Sequence, residues 1–276
     1  MAKHLDPSFI IMGGVKCGTS SLYRYLNAHP LVLPCKSKEP NYFSFRPWYQ
    51  IPFSYGRYKK MFPLKNAEGE IKADWLDLGE DEKMHASHFV KIAETGKNYI
   101  TGEATATTFF AASPRLIKFL LPNLKLIMLM RDPIERYVSH YRMYQRFKQE
   151  GRQGYDFKPL PEYIDDEIEA FHQGKKTRIL HQGLYTTYLQ KWEEVFGREK
   201  LLLLRTLDFE EVGLAQHEME KVCEFLGLTE YNFREALGER YNQAQTQEIA
   251  PKVSEKLRKF YADSLEELRL RYQIKL

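Results

Sequence analysis

The chain has 276 residues, of which 43% are hydrophobic, 28% charged and 14% aromatic. That apolar fraction supplies a sizeable core and excludes disordered and low-complexity classes. Against 41 Lys and Arg stand 37 Asp and Glu, a formal charge of +4 that suits an anionic ligand but argues for no nucleic-acid partner. No apolar run approaches the ~18 residues that span a bilayer, and the N-terminus lacks a signal-peptide pattern, so no membrane contact is expected. Cys17, Cys35 and Cys223 are odd in number and have no metal-ligand spacing, which predicts free thiols, a cytoplasmic location and no metal. Without an internal repeat or a Ser/Gly-rich linker, residues 1–276 read as a single domain.

Residues 8–12, Ser-Phe-Ile-Ile-Met, form a short β-branched run that stops at Gly13-Gly14, the pattern of a strand buried on both faces. After Val15-Lys16-Cys17-Gly18, either Thr19 or Ser20 can open a helix that stops before His29-Pro30. Residues 114–121 read as helix and residues 125–130 as a second buried strand. That strand ends at Arg131-Asp132-Pro133, with Asp132 placed to cap a helix running from Pro133 through Tyr144. A helix over 185–195, a third apolar strand at 201–204 and an amphipathic helix over 253–268 follow. Strands alternating with helices predict an α/β fold, with a central, mainly parallel sheet flanked by helices. Two segments stand outside this pattern and read as long loops: 41–62, dense in aromatics, and 148–161, rich in Gly and Pro.

The loop after the first strand has the chemistry of a phosphate cradle. Gly13, Gly14 and Gly18 let backbone N–H groups close around an anion at a helix N-terminus. Thr19, Ser20 and Ser21 add hydroxyl donors, and Lys16 adds a full positive charge. It is not a Walker A motif, which places Lys directly after the last glycine, whereas Lys16 precedes Gly18 by two residues. The loop after the second strand offers Arg131 and, two helical turns on, Ser139, a guanidinium fork and a hydroxyl suited to a terminal phosphate. Glu135 and Arg136 read as a surface ion pair, and His140 as either a catalytic base or a helix histidine satisfied by a neighbour.

Together the two loops resemble those of the PAPS-dependent sulfotransferases, whose donor is 3′-phosphoadenosine-5′-phosphosulfate. Lys38-Glu39-Pro40-Asn41-Tyr42-Phe43, Gly102-Glu103, Gly183-Leu184-Tyr185 and Trp192 also fall in that family's order, so the resemblance runs from Phe9 to the final helix. It implies a P-loop-like sulfotransferase fold that binds PAPS, transfers its sulfuryl group and releases 3′,5′-ADP without a metal. Lys16, Cys17, Gly18, Thr19, Ser20 and Ser21 would wrap the 5′-phosphosulfate, while Arg131 and Ser139 would hold the 3′-phosphate. Tyr185 is a candidate for the adenine pocket. Two departures stand out: Arg205-Thr206-Leu207-Asp208 replaces an acidic pair, and no basic closing loop is evident at 241–246, where Lys252 is the nearest substitute.

Lys16 is the expected catalytic cation. The resemblance also makes Glu39 the expected general base, with pairing to Lys38 as its structural alternative and Glu103 as the other candidate. His85 and His88 read as surface residues. Phe45, Trp48, Tyr49, Phe53 and Tyr55 are expected either to wall an acceptor pocket or to fill the core under a loop. The modest net charge favours a small-molecule, natural-product-like acceptor, with a carbohydrate as the alternative, although Arg46, Arg57, Lys59 and Lys60 form a local basic cluster. Two other classes remain open, a P-loop kinase and a non-catalytic nucleotide-binding protein.

Overall fold

The computed structural model describes residues 3–65, 71–72, 98–155, 158–238 and 249–276. Its strands are β1 (Lys3–His4), β2 (Phe9–Gly13), β3 (Val32–Pro34), β4 (Leu64–Lys65), β5 (Ile71–Lys72), β6 (Ile100–Glu103), β7 (Lys125–Met130) and β8 (Leu201–Arg205). Five of them form one wholly parallel sheet in the order β3-β6-β2-β7-β8, and β1, β4 and β5 form a small antiparallel sheet. The principal helices are α1 (Thr19–Asn27), α2 (Ile51–Lys59), α3 (Thr108–Ala111), α4 (Pro114–Leu120), α5 (Pro133–Gln149), α6 (Leu160–His172), α7 (Tyr185–Phe196), α8 (Val212–Leu226), α9 (Arg234–Gly238) and α10 (Pro251–Tyr272).

The continuous apolar runs at 9–12 and 126–130 exist because both faces of the sheet are covered. Phe9, Ile11, Ile127 and Leu129 face α1 and α8, packing on Leu22, Leu26, Met219 and Val222. Ile10, Met12, Leu126 and Met128 face the other way, onto Ile117 of α4, Leu189 and Trp192 of α7 and Leu268 of α10. Each of these side chains, once buried, contributes about 1.5–3 kcal/mol. A third apolar cluster, with Tyr137 and Val138 of α5, Ile164 of α6 and Leu257 and Tyr261 of α10, clamps α5 beside the sheet.

From β2 the chain turns toward β3, and from β7 it turns the opposite way, toward β8. The order of connection therefore reverses between β2 and β7, which opens a crevice beyond their carboxyl ends, where ligands of such sheets bind. Both candidate loops leave these two strands.

The strand and helix units expected from the sequence are present, and the structure adds the small antiparallel sheet and α8 and differs in three further places. The edge strand β3 was not foreseen: it is only three residues long and ends in Pro34, which an edge tolerates. The aromatic segment is not a plain loop, because residues 48–50 make a helical turn and α2 follows with Pro52 in its first turn. The polar segment is shorter than expected, since α5 extends to Gln149 and α6 begins at Leu160.

Glycine is required where β2 meets its neighbours. A Cβ on Gly102 would stand 2.5 Å from the Phe9 carbonyl oxygen, and one on Gly13 would stand 2.2 Å from that of Leu129. Backbone cannot yield as a side chain can, so Gly102→Ala should cost about 1–3 kcal/mol and lower Tm by several degrees in calorimetry. An unchanged Tm would show that the strands separate without penalty.

Candidate active site

At the end of β2 the chain turns through two left-handed residues, Lys16 (φ 77°) and Gly18 (φ 87°), before α1 begins at Thr19. A lysine in that region carries strain, which neighbouring contacts hold in place. The Val15 N–H donates to Gln182 Oε1 (3.1 Å) and the Cys17 N–H to the Gly14 carbonyl (3.1 Å). A Cβ on Gly14 would lie 2.8 Å from Cδ of Arg136 and 3.2 Å from Cys17 Sγ, so that glycine lets the loop sit down on a buried guanidinium. Thr19 and Ser20 open the first turn of α1, where N–H groups have no intrahelical acceptor and face the positive end of the helix.

At the end of β7, Asp132 Oδ1 accepts from the N–H groups of Ile134 (2.9 Å) and Glu135 (3.0 Å), the cap expected from the sequence. Arg131 donates from Nε and Nη2 to Glu135 Oε2, both at 3.1 Å. Ser139 is buried and its Oγ has no hydrogen-bond partner. A buried hydroxyl left unpaired costs about 1–3 kcal/mol, so this residue is set to receive an acceptor oxygen. Arg136 corrects the expectation of a surface ion pair: it is fully buried, donates from Nη2 to the Ile179 carbonyl (2.9 Å), and leaves Glu135 to Arg131.

Two hydroxyls join the loops. Tyr185 donates to the Arg131 carbonyl (2.8 Å), accepts from the Arg131 N–H (3.3 Å) and lies 3.4 Å from Cys17 Sγ. Thr206 Oγ donates to the carbonyls of both Cys17 (2.7 Å) and Met130 (3.0 Å). Tyr185 is thus a fastener under the site, with its ring buried and no open face for adenine. Where the resemblance led to an acidic pair, Arg205 instead grips Asp208 through Nε and Nη2, at 2.9 and 2.6 Å. These roles for Thr206, Gln182 and Arg136 were missed, because each depends on a partner far away in the chain.

The electrostatics of the cradle are one-signed. Burial lowers the Lys16 pKa, and Arg146 and Arg131 nearby lower it further. His140 is pushed well below its ordinary value by burial and then by Arg136, Lys16 and His181; it is neutral at pH 7, with Nδ1 unpartnered. Burial raises the Cys17 thiol, so that side chain packs under the loop as a neutral group.

The two candidate carboxylates occupy different depths. Glu39 pairs with Lys38, whose Nζ also donates to Ser20 Oγ (2.7 Å), which places Glu39 at the lip of the cradle with 39% of its side chain exposed. Glu103 ends β6 fully buried; it accepts from Tyr58 OH (3.0 Å), from the Thr105 N–H (3.1 Å) and from Thr105 Oγ. Burial pushes its pKa up to about 7 against the opposing hydrogen bonds of Thr105 and Tyr58. Most of the aromatic segment's rings do not fill the core, the second of the two expectations for them. Phe45, Trp48, Tyr49 and Phe53 point to solvent, Phe53 being 94% exposed, and only Tyr55 packs inward, on Tyr58. His85, His88 and residues 241–246 lie outside the described residues, and Lys252 is exposed in the first turn of α10.

A profile of the sulfotransferase domain matches residues 6–267. The chain belongs to the sulfotransferase family. Human carbohydrate sulfotransferase 15 is 28% identical over 263 residues, covering 80% of this chain and 44% of the relative. The human bifunctional heparan sulfate N-deacetylase/N-sulfotransferase 2 is 25% identical over 226 residues, covering 82% and 22%. The chain thus spans less than half the length of these curated relatives. Its fold is similar to that of a sulfotransferase from Alicyclobacillus acidocaldarius, with TM-score 0.63, 22% identity and coverage of 99% and 98% of the two chains. Among the described residues no helix is long and apolar enough to cross a membrane.

Buried Glu103 makes stability pH-dependent. The folded chain holds that proton up to about pH 7, whereas an unfolded glutamate releases it near 4.5. Between those values the native state binds more protons, so stability falls as pH rises through the window, by about 3 kcal/mol in all. Urea midpoints at pH 5 and pH 8 should differ more for the wild type than for Glu103→Gln. Equal differences in the two proteins would remove Glu103 as the cause.

Proposed function

We propose that this sulfotransferase moves a sulfuryl group from PAPS to a hydroxyl or amine of its acceptor and releases 3′,5′-ADP. The observation that carries this reading is the pairing of two anion sites by shared hydroxyls: the glycine cradle with Lys16, and Arg131 with the unpartnered Ser139. The residues present fit a nucleotide with two anionic groups, because Lys16 is partly buried and has Arg146 and Arg131 close enough to lower its pKa further, a cationic cluster that negative charge relieves. Cys17, Gly18, Thr19, Ser20 and Ser21 would hold the 5′ side, and Arg131 and Ser139 the 3′-phosphate.

PAPS supplies a sulfuryl group already activated by a phosphate leaving group. Lys16, made more acidic by burial and the nearby arginines, would compensate charge that develops on the departing oxygen and donate a hydrogen bond to it. Glu39 takes the acceptor's proton. Lys38, held by both Ser20 and Glu39, ties the base to the start of α1. Arg131, bonded to Glu135, would hold the 3′-phosphate with its guanidinium fork.

For the acceptor, Phe45, Trp48, Tyr49 and Phe53 are exposed, which leaves aromatic rings available for stacking on a sugar. That favours a saccharide, in keeping with the names of the curated relatives, over the natural-product acceptor expected from composition. The three free, buried cysteines support a reducing, cytoplasmic setting.

Transfer of radiolabelled sulfate from PAPS to a panel of phenols, alkyl glycosides, amines and unsulfated glycosaminoglycan oligosaccharides tests the reaction. Lys16→Ala should abolish transfer in a folded protein, and Glu39→Gln should lower kcat by roughly 10²- to 10⁴-fold while 3′,5′-ADP affinity holds. Binding of ATP with Mg²⁺ in preference to 3′,5′-ADP would favour a kinase, and nucleotide binding without transfer would favour a non-catalytic binder. In calorimetric titration, Ser139→Ala should weaken 3′,5′-ADP and leave 5′-AMP unchanged. Equal loss for both nucleotides would place the 3′-phosphate elsewhere.

A further inference from the structure

Three non-glycine residues among those described have a left-handed backbone: Lys16, Gln273 after the last helix, and Asn41 with φ 52°. Asn41 is bonded on every side. Its N–H donates to Thr105 Oγ (3.3 Å), its Nδ2 to the Glu39 carbonyl (3.0 Å), and its Oδ1 accepts from Thr107 Oγ (3.2 Å). One step back, the Ala104 N–H donates to the Lys38 carbonyl (2.9 Å). Thr105 Oγ in turn donates to Glu103, whose other oxygen accepts from Tyr58. The backbone carrying Lys38 and Glu39 is therefore fastened on both sides to the end of β6, and the fastening leads to a buried carboxylate that has no route to substrate.

We propose that Asn41, Thr105 and Glu103 are positioning residues that set the Glu39 carboxylate at the lip of the cradle; this rests on the reading of Glu39 as the general base. A strained turn persists only where its surroundings over-determine it. Here those surroundings are the bonds from Thr105 and Thr107, and the residue whose carbonyl they help fix is Glu39. Without the Thr105 hydroxyl, Asn41 loses the acceptor for its N–H and can relax, and Glu39 moves with it. A displacement of about 1 Å at a reacting group costs roughly 10²-fold in rate.

The test is a double-mutant cycle between Thr105→Val and Glu39→Gln, assayed with the panel member that turns over fastest. Thr105→Val should lower kcat roughly 10- to 100-fold with 3′,5′-ADP affinity unchanged by calorimetric titration, Thr105→Ser should restore it, and the loss should vanish in the Glu39→Gln background. The same loss in both backgrounds, no loss in the wild type, or a matching loss of nucleotide affinity would overturn the proposal. Full activity of Glu39→Gln alone would instead remove Glu39 as the base, and the positioning role with it. Should circular dichroism show Thr105→Val unfolded, Asn41→Gly, which deletes both side-chain bonds and leaves the turn free to relax away from its left-handed form, takes its place in the cycle, and no loss, or the same loss in both Glu39 backgrounds, would overturn the proposal.

Discussion

The site depends on two hydroxyls that hold two turns together. Thr206 is bonded to the carbonyls of Cys17 and Met130, and Tyr185 reaches both Arg131 and Cys17, so the cradle and the arginine turn cannot drift apart without breaking a bond. The geometry is possible because β2 and β7 are direct parallel neighbours, about 4.8 Å apart. The side chains doing the joining come from beyond the sheet, Tyr185 at the start of α7 and Thr206 just after β8. A ligand bridging the two turns meets a spacing already set, and binding need not bear the entropy of ordering them.

That rigidity also stores charge. Lys16, Arg131, Arg146, Arg136 and neutral His140 surround the cradle, and Glu135, the carboxylate bonded to Arg131, lies on the outer side of α5's first turn. Burial, and then the nearby Arg146 and Arg131, disfavour the Lys16 cation, a cost visible in its lowered pKa. It is recovered when an anion arrives, and would be recovered most where negative charge grows during a reaction. The left-handed backbone of Lys16 belongs to the same economy: it directs one side chain inward at the expense of local strain.

How much of this was legible in the chain follows from the range of the interactions. The strand-loop-helix units at residues 9–27 and 125–149 are local, written in apolar runs, glycines, a capping Asp and a first-turn Pro, and the structure has them within a few residues. Arg136 was misread because one turn of helix looks alike on either face; only the packing of Gly14 on its Cδ shows that it points beneath the cradle. Thr206 and Gln182 reach partners 189 and 167 residues away, a separation no local pattern encodes. The aromatic segment misled for the opposite reason. Its density suggested burial, but α2 buries Ile51 and Tyr58 and leaves Phe53 outside.

The depth of the two carboxylates explains why one fold needs both. Glu103 is in register with Ile10, one strand from the cradle, and at that depth a carboxylate gains nothing by facing substrate. It serves as a fixed acceptor for Tyr58 and Thr105, and through them it joins α2, β6 and the turn of Lys38 and Glu39 into one body. Glu39 differs in depth: its side chain is partly in solvent and paired with Lys38, while its carbonyl is held by Asn41. The turn of Lys38 and Glu39, the cradle and the arginine turn thus hang from three adjacent strands, β6, β2 and β7, so the sheet sets their order and spacing.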